Sequence, residues 1–520
     1  MISRTGPLQL LISLILLPLS YSVHFLIFLI NECIRLIVRV IAYVRFGEEV
    51  TWIENGSDAC FTRLPLKGQT RNAIALFTVP QGTLTLEKVA QFFEEKVQYY
   101  MDKSDKRAYA NLENILSSIC GYNCWRRDPN FNVRNHIEQL DINVTYTKEK
   151  LENYFSENSA SHNAFPDSKP QWQITIVPKY DDRSGVIKSK LILNYHHAYF
   201  DALCAAIMWR NCLSPGAELL IDPMKSRIPT LKNILMHIIT FTYFPLLFVL
   251  INFERIMLTT WIPNPIKICP RTKYYSLTEN PTFTTDLKKI KKWASSVEGG
   301  VSVSLTNILI TGVWRGLLAT FPRERLVKKL AFSEVAVILP YPDESLRNRL
   351  TSFSYPMPSS DNKGTSLSEG SRLLRDLKLT RKKSTKAIMG PEMLATYYYQ
   401  KFCARLPNIM SWMWLKGTYS SIYISPLPWS KNKGAYTSPR CSVPVERLEA
   451  FTPHLNDIGL SVACLTYGNE VMFGGCGDSD WMSRQELDNF VQNISREIAK
   501  MAEIVDNCEM DGLKMVDLNV

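Results

Sequence analysis

The stretch that decides the reading is Asn194–Leu203, NYHHAYFDAL. The residues leading into it, SKLILNYHH (189–197), read as a strand. Those that follow, DALCAAIMWRNCL (201–213), read as a helix. Asp201 stands at its start, where a carboxylate suits the unpaired amides of a first turn. An imidazole titrates near neutrality, so a histidine here can take a proton from a hydroxyl at working pH. Neighbours along a strand point to opposite faces. Only one of His196 and His197 can therefore face a given cleft, and the other is structural. Asp201, about one helical turn on, fixes the local backbone or pairs with a cation. The bland alternative is a packed strand end with two hydrogen-bonded histidines. His, His and Asp are also metal-ligand types. Ligands must converge, however, and strand neighbours diverge, so no metal is expected.

Outward from this stretch, strands and helices mix. AIALFTVP (73–80) and QWQITIVP (171–178) read as strands ended by proline, and LTLEKVAQFFEEKVQYYM (84–101) as a helix. A second block begins near residue 275. SVSLTNILITGVWRGLLATF (302–321) reads as a capped helix, and SEVAVILPYP (333–342) and SIYISPLP (421–428) read as strands. LNDIGLSVACLTYGNEVMFGGCGD (455–478) reads as two strands around a turn at Tyr467-Gly468-Asn469. SRQELDNFVQNISREIAKMAEIV (483–505) is an amphipathic helix. Without strict βαβ alternation, two α/β layers are expected rather than one doubly wound sheet.

Two apolar stretches raise the question of a membrane. Residues 8–30 hold no Asp, Glu, Lys or Arg, and Arg35, Arg39 and Arg45 follow. That pattern predicts a single-pass signal anchor with the rest of the chain in the cytosol, or else a monotopic hairpin bent at Pro18. The endoplasmic reticulum is the expected membrane. The second stretch, 234–251, predicts an interfacial hairpin or a buried helix, with a proline-spaced linker over 261–273. The formal net charge of +11 favours anionic partners such as phosphates or acidic headgroups. No basic cluster interleaved with aromatics points to nucleic acid. The twelve cysteines are scattered singly, in keeping with a reducing compartment. There is no G-x-S-x-G elbow, no phosphate loop and no dinucleotide fingerprint.

HHAYFDA resembles the HHxxxDG signature of the acyl-CoA-dependent acyltransferase superfamily. CWRRDPNFNVRNHIEQ (124–139), KPQWQITIVP (169–178), SLTNILITGVWRGL (304–317), SSIYISPLPWS (420–430) and the closing LTYGNEVMFGGCGD are similar, in order, to segments of the wax ester synthase/diacylglycerol acyltransferase family. The resemblance runs over roughly residues 50–510. It implies an α/β fold of two chloramphenicol-acetyltransferase-like domains, here preceded by an N-terminal transmembrane helix. The implied boundaries are 1–47 for the anchor, 48–215 for the first domain, 216–273 for a membrane-associated hairpin and linker, and 274–520 for the second domain. The implied reaction moves a long-chain acyl group from acyl-CoA to a lipid alcohol, a fatty alcohol or diacylglycerol. The implied product is wax ester or triacylglycerol. His197 would be the general base, His196 its structural neighbour, Asp201 architectural, and Asn307 a donor to the developing oxyanion. Acyl-CoA is a co-substrate and no cofactor is implied. Membrane lipids are the implied partners. Ala202 and Ile308 depart from the family pattern, standing where it has glycine and aspartate. Ser421-Ile422 stands where the family has Ser-Asn. These departures leave open a different small alcohol or amine as acceptor, or a non-catalytic lipid-binding protein.

Overall fold

The computed structural model describes residues 7–47, 50–62, 72–160, 165, 168–214, 217–225, 231, 234–242, 272–326, 329–359, 367–388, 391–410, 420–438, 441–453 and 458–510. Two sheets organise them. The first has five strands in the order Arg447–Phe451, Asn72–Pro80, Ile187–His196, Trp172–Asp181, Ile137–Gln139, antiparallel except for the last pair. The second runs Leu350–Pro358, Lys329–Val337, Ser420–Ser430, Ile458–Tyr467, Glu470–Asp478, Lys273–Leu277, with Thr282–Phe283 paired off its path. Its central Ser420–Ser430 strand has a parallel neighbour on each side. The mixed α/β architecture expected from the sequence is present, with its segments close to their expected bounds.

The first sheet exchanges a strand with the second half of the chain. Arg447–Phe451 leaves the neighbourhood of the second sheet and pairs with Asn72–Pro80, Phe451 opposite Ile74 and Arg447 opposite Thr78. Layers on both faces bury the 72–80 strand along nearly its whole length. One face packs on Leu86–Phe92 and Ala202–Met208, the other on Lys148–Ala160. In the second half, helix Leu305–Thr320 lies against Arg484–Met510. Gly312 and Gly316, one turn apart, permit that approach, since a Cβ at Gly316 would lie 3.0 Å from the amide nitrogen of Ile494.

The expected membrane anchor is overturned. Among the described residues, no helix is long and apolar enough to cross a membrane. Residues 8–30 belong instead to one 40-residue helix, Pro7–Phe46. Polar groups in the apolar stretch have hydrogen-bond partners. The Tyr21 hydroxyl donates to the carbonyl of Phe241 at 2.9 Å, and His24 Nδ1 lies 2.7 Å from the carbonyl of Ser20. The second half of the helix is docked on the body. Asn31 donates to the carbonyl of Arg405 and accepts from the Tyr122 hydroxyl, both at 2.9 Å. Arg35 pairs with Glu32 and Glu54, and Val38 and Ala42 pack on Ile119, Tyr122 and Cys124. Hydropathy alone does not register this docking. The spanning placement, and the endoplasmic-reticulum assignment built on it, fall with the anchor. Of the second apolar stretch, residues 234–242 are helical. Its remainder, and the linker to residue 271, lie outside the described residues.

Candidate active site

The motif sits where the Ile187–His196 strand ends in a turn. His196 pairs with Asn72, and its amide donates to the carbonyl of Gln171 at 2.9 Å. Its Nδ1 accepts from the amide of Ala198 at 3.2 Å, which tightens the turn. His197 points the other way. Only 6% of it is exposed, and its ring stacks on Phe61 at 4.1 Å between centroids. It lines a cavity of ≈ 70 Å³ between the two sheets, with Tyr195 and Ala73 on one side and Val335, Tyr423 and Ser425 on the other.

Burial holds the His197 imidazole down to about 4, and contacts with its own main chain and with Asn348 offset this only in part. The ring is therefore neutral at neutral pH. Its Nδ1 is buried without a hydrogen-bond partner among the described residues. A neutral imidazole with one nitrogen sealed in the protein presents the other for proton transfer. Among the described residues no carboxylate bonds this ring, so stacking and the turn itself orient it.

The turn is held from 150 residues away. Asn348 Nδ2 donates to the carbonyls of His197 at 2.8 Å and Ala198 at 3.2 Å. The same Nδ2 reaches Asp58 Oδ1 at 2.8 Å, and the Asn348 amide donates to that oxygen at 2.7 Å. Burial pushes Asp58 up to about 7, against the pull of the Asn348 and Asn55 hydrogen bonds. Asp58 itself lies in a short helix, Gly56–Phe61, which also carries the Phe61 ring. One buried polar knot thus ties the helix beneath the ring, the turn that bears it, and a loop of the second half.

Asp201 is the N-cap of helix Ala202–Met208, accepting from the Cys204 amide at 2.9 Å. Its other oxygen accepts from the Arg349 amide at 2.8 Å and from the Tyr341 hydroxyl. Burial raises its pKa, and these donors oppose the rise. Asp201 also lines the cavity, but every contact on its carboxylate is structural. Ala202 follows as the first helical residue, where a Cβ is readily accommodated.

Asn307 lies elsewhere. It is the N3 residue of a capping box with Ser304 at the start of Leu305–Thr320. Its side-chain oxygen accepts from the Ser304 amide at 3.1 Å, and its own amide donates to Ser304 Oγ at 3.1 Å. It is absent from the cavity wall, so the oxyanion donor expected there must be sought among other residues. Ile308, in place of the family's aspartate, is fully buried in the second core. Ser421 Oγ accepts from the Ala331 amide at 3.1 Å and so ties two strands together. The sequence reading missed Asp58, Tyr341, Asn348 and Thr452. Only Asp58-Ala59, near a turn-forming Asn55-Gly56, carries even a weak local signal.

No protein-family model matches the chain, and no curated protein matches it in sequence. Solved structures do match. The wax ester synthase/diacylglycerol acyltransferase from Marinobacter aquaeolei VT8 covers 89% of this chain and all of its own, with a TM-score of 0.52 at 14% identity. The chain shares the fold of this wax ester synthase/diacylglycerol acyltransferase. The TRI3 trichothecene 15-O-acetyltransferase from Fusarium sporotrichioides gives a TM-score of 0.57 at 10% identity, over 87% of this chain and 95% of that one. The EpoB cyclization-docking bidomain from Sorangium cellulosum gives 0.51 at 10% identity, over 88% and 84%. At these identities the likeness is one of fold.

Proposed function

We propose that this chain is an acyltransferase that moves an acyl group from a coenzyme A thioester to a hydroxyl acceptor, with His197 as general base. One observation carries the proposal. A neutral imidazole, stacked and clamped, opens onto an apolar cavity between two sheets whose fold is shared with acyltransferases. The base takes the proton of the acceptor hydroxyl as its oxygen attacks the thioester carbon, and returns it to the departing thiolate. No side chain need form a covalent acyl intermediate. The positive net charge suits the phosphates of coenzyme A.

The void beside His197 is small, ≈ 70 Å³. A short acyl group fits beside His197. The long-chain group and lipid alcohol first expected enter it only at their reacting ends. A second, more polar cavity of ≈ 300 Å³ shares the Ile74 wall and is lined by Asn72, Gln173 and Asn194. Those side chains lie on the opposite face of the sheet from Ala73 and Tyr195, so this cavity is separate from the one beside the base.

The test is release of free coenzyme A from acetyl-, octanoyl- and hexadecanoyl-CoA with a panel of alcohols, for the wild type and for His197→Ala. The variant should lose 10²–10⁴-fold in rate while keeping its melting temperature within a few degrees. Equal rates in the two proteins would remove His197 from the chemistry.

A further inference from the structure

An acyl transfer at His197 needs a hydrogen-bond donor where negative charge develops on the thioester oxygen. Asn307 does not supply it. The cavity wall offers Tyr195, Tyr423, Ser425, Trp429 and Thr452. Of these, Thr452 Oγ1 and Trp429 Nε1 are buried with no hydrogen-bond partner among the described residues. A hydroxyl taken out of water without a partner costs folding free energy. Buried unpaired atoms occur elsewhere in this chain, so the lack of a partner alone assigns nothing. What distinguishes Thr452 is that its hydroxyl shares one small cavity with the base.

Register separates the two candidates. Phe451 pairs with Ile74, which places Thr452 level with Ala73. Ala73 in turn pairs with Tyr195, two residues before His197. Trp429 packs edge-on to Phe77, at 6.4 Å between ring centroids. Phe77 lies three residues beyond Ile74, so the indole stands roughly 10 Å farther along the sheet at ~3.3 Å per residue. Thr452 is therefore at the base's end of the cavity, and Trp429 is at the far end. Thr452 is also only 6% exposed, and it directly follows the exchanged strand.

We propose that Thr452 Oγ1 donates the hydrogen bond that holds the acyl carbonyl oxygen as it becomes an oxyanion. This rests on the acyl-transfer reading above. The hydroxyl oxygen of the acceptor forms a bond to the thioester carbon while its proton passes to His197. The carbonyl π pair moves to the oxygen held by Thr452. That pair then re-forms the C=O bond, the C–S bond breaks, and the leaving thiolate takes the proton from the imidazolium. Every atom and electron is accounted for by donor, acceptor and imidazole. The acyl oxygen thus lies toward the exchanged strand and the nucleophile toward the histidine turn.

The experiment compares wild type, Thr452→Val, Thr452→Ser and His197→Ala in coenzyme A release from acetyl-CoA, with an alcohol panel and with water alone as acceptor. Removing one oxyanion donor costs about 10²–10³ in kcat. Thr452→Val should show that loss with KM for acetyl-CoA within about threefold, because the hydrogen bond strengthens only in the transition state. Thr452→Ser, which keeps the hydroxyl, should recover most of kcat. Thr452→Val should also melt at or above the wild-type temperature, since it removes a buried hydroxyl that lacks a partner. A Thr452→Val enzyme at wild-type kcat, beside an inactive His197→Ala, overturns this inference and leaves acyl transfer standing. A wild type indistinguishable from His197→Ala overturns both. Should the valine variant not fold, Thr452→Ala set against Thr452→Ser decides by the same kcat difference.

Discussion

Asn348→Ala tests whether the histidine turn is held by the second half of the chain. The substitution removes three side-chain hydrogen bonds, to the carbonyls of His197 and Ala198 and to Asp58. Each is worth ~1 kcal/mol net, and a buried acceptor left unsatisfied costs ~1–3 kcal/mol. The 3.2 Å contact to Ala198 is the weakest. The backbone amide of residue 348 still serves Asp58, which spares that carboxyl part of the loss. The sum is about 3 kcal/mol. At ~2–4 °C per kcal/mol for cooperative units of 150–250 residues, the melting temperature should drop by ~6–12 °C. Tryptophan fluorescence in urea reads the same change as a lowered midpoint. Activity should fall further than stability explains, because a shift of about 1 Å in a reacting group costs ~10²-fold. Coenzyme A release measured well below the melting point isolates that effect. A variant within ~0.5 kcal/mol of the wild type, with unchanged kcat, would refute the claim that this amide positions the base.

Three further outcomes follow from the same structure. The acid limb of the rate profile should fall near pH 4 rather than 6.5, because burial holds His197 at about 4. A histidine whose folded pKa is depressed costs stability as pH falls. The unfolded chain takes up the proton from pH 6.5 downward, the loss is complete near pH 4, and it amounts to ~3 kcal/mol at 1.36 kcal/mol per unit. Urea titrations of His197→Gln between pH 7 and 4 should lack that loss. Asp58, raised to about 7, acts in the opposite sense. Its unfolded carboxyl ionises first, so stability falls as pH rises from about 4 to 7, and a folded protein near pH 6 with Asp58 protonated should show no carboxylate band from it in difference infrared spectra against Asp58→Ala. Lys190 and Glu449, 1% and 3% exposed, pair across the Asn72–Pro80 strand. Lys190→Met alone should cost ~3–5 kcal/mol by stranding a buried carboxylate, and Lys190→Met with Glu449→Leu should recover most of it, as read by urea melts of the three proteins.

Much of the fold was legible because its elements carry local signals. The histidine strand, the helix capped by Asp201 and the closing hairpin each announce themselves within a dozen residues. The strand Arg447–Phe451 does not. It is five residues long with a glutamate at its centre, and nothing nearby says that Glu449 meets a lysine 259 residues away. Asn307 was legible in a different sense. Ser304 three residues before it is the spacing of a capping box, and that local reading accounts for the side chain without reference to any substrate. The anchor over residues 8–30 shows the reverse failure. Hydropathy counts side chains, but the partners of Tyr21 and Asn31 lie far along the chain.

The same distance rule explains why the motif alone does not make the site. His197 arrives on a strand of the first half, yet its carbonyl, the cap residue Asp201 and the wall opposite the ring are all engaged by residues beyond 334. The loop from Tyr341 to Arg349 contributes a hydroxyl, an amide side chain and a backbone amide to that turn within nine residues. A turn satisfied this fully has little freedom, and a neutral imidazole buried on it keeps one orientation without a carboxylate behind it. The energy that aims the base is therefore stored in the contact between the halves, and loosening that contact should slow the chemistry before it unfolds either sheet.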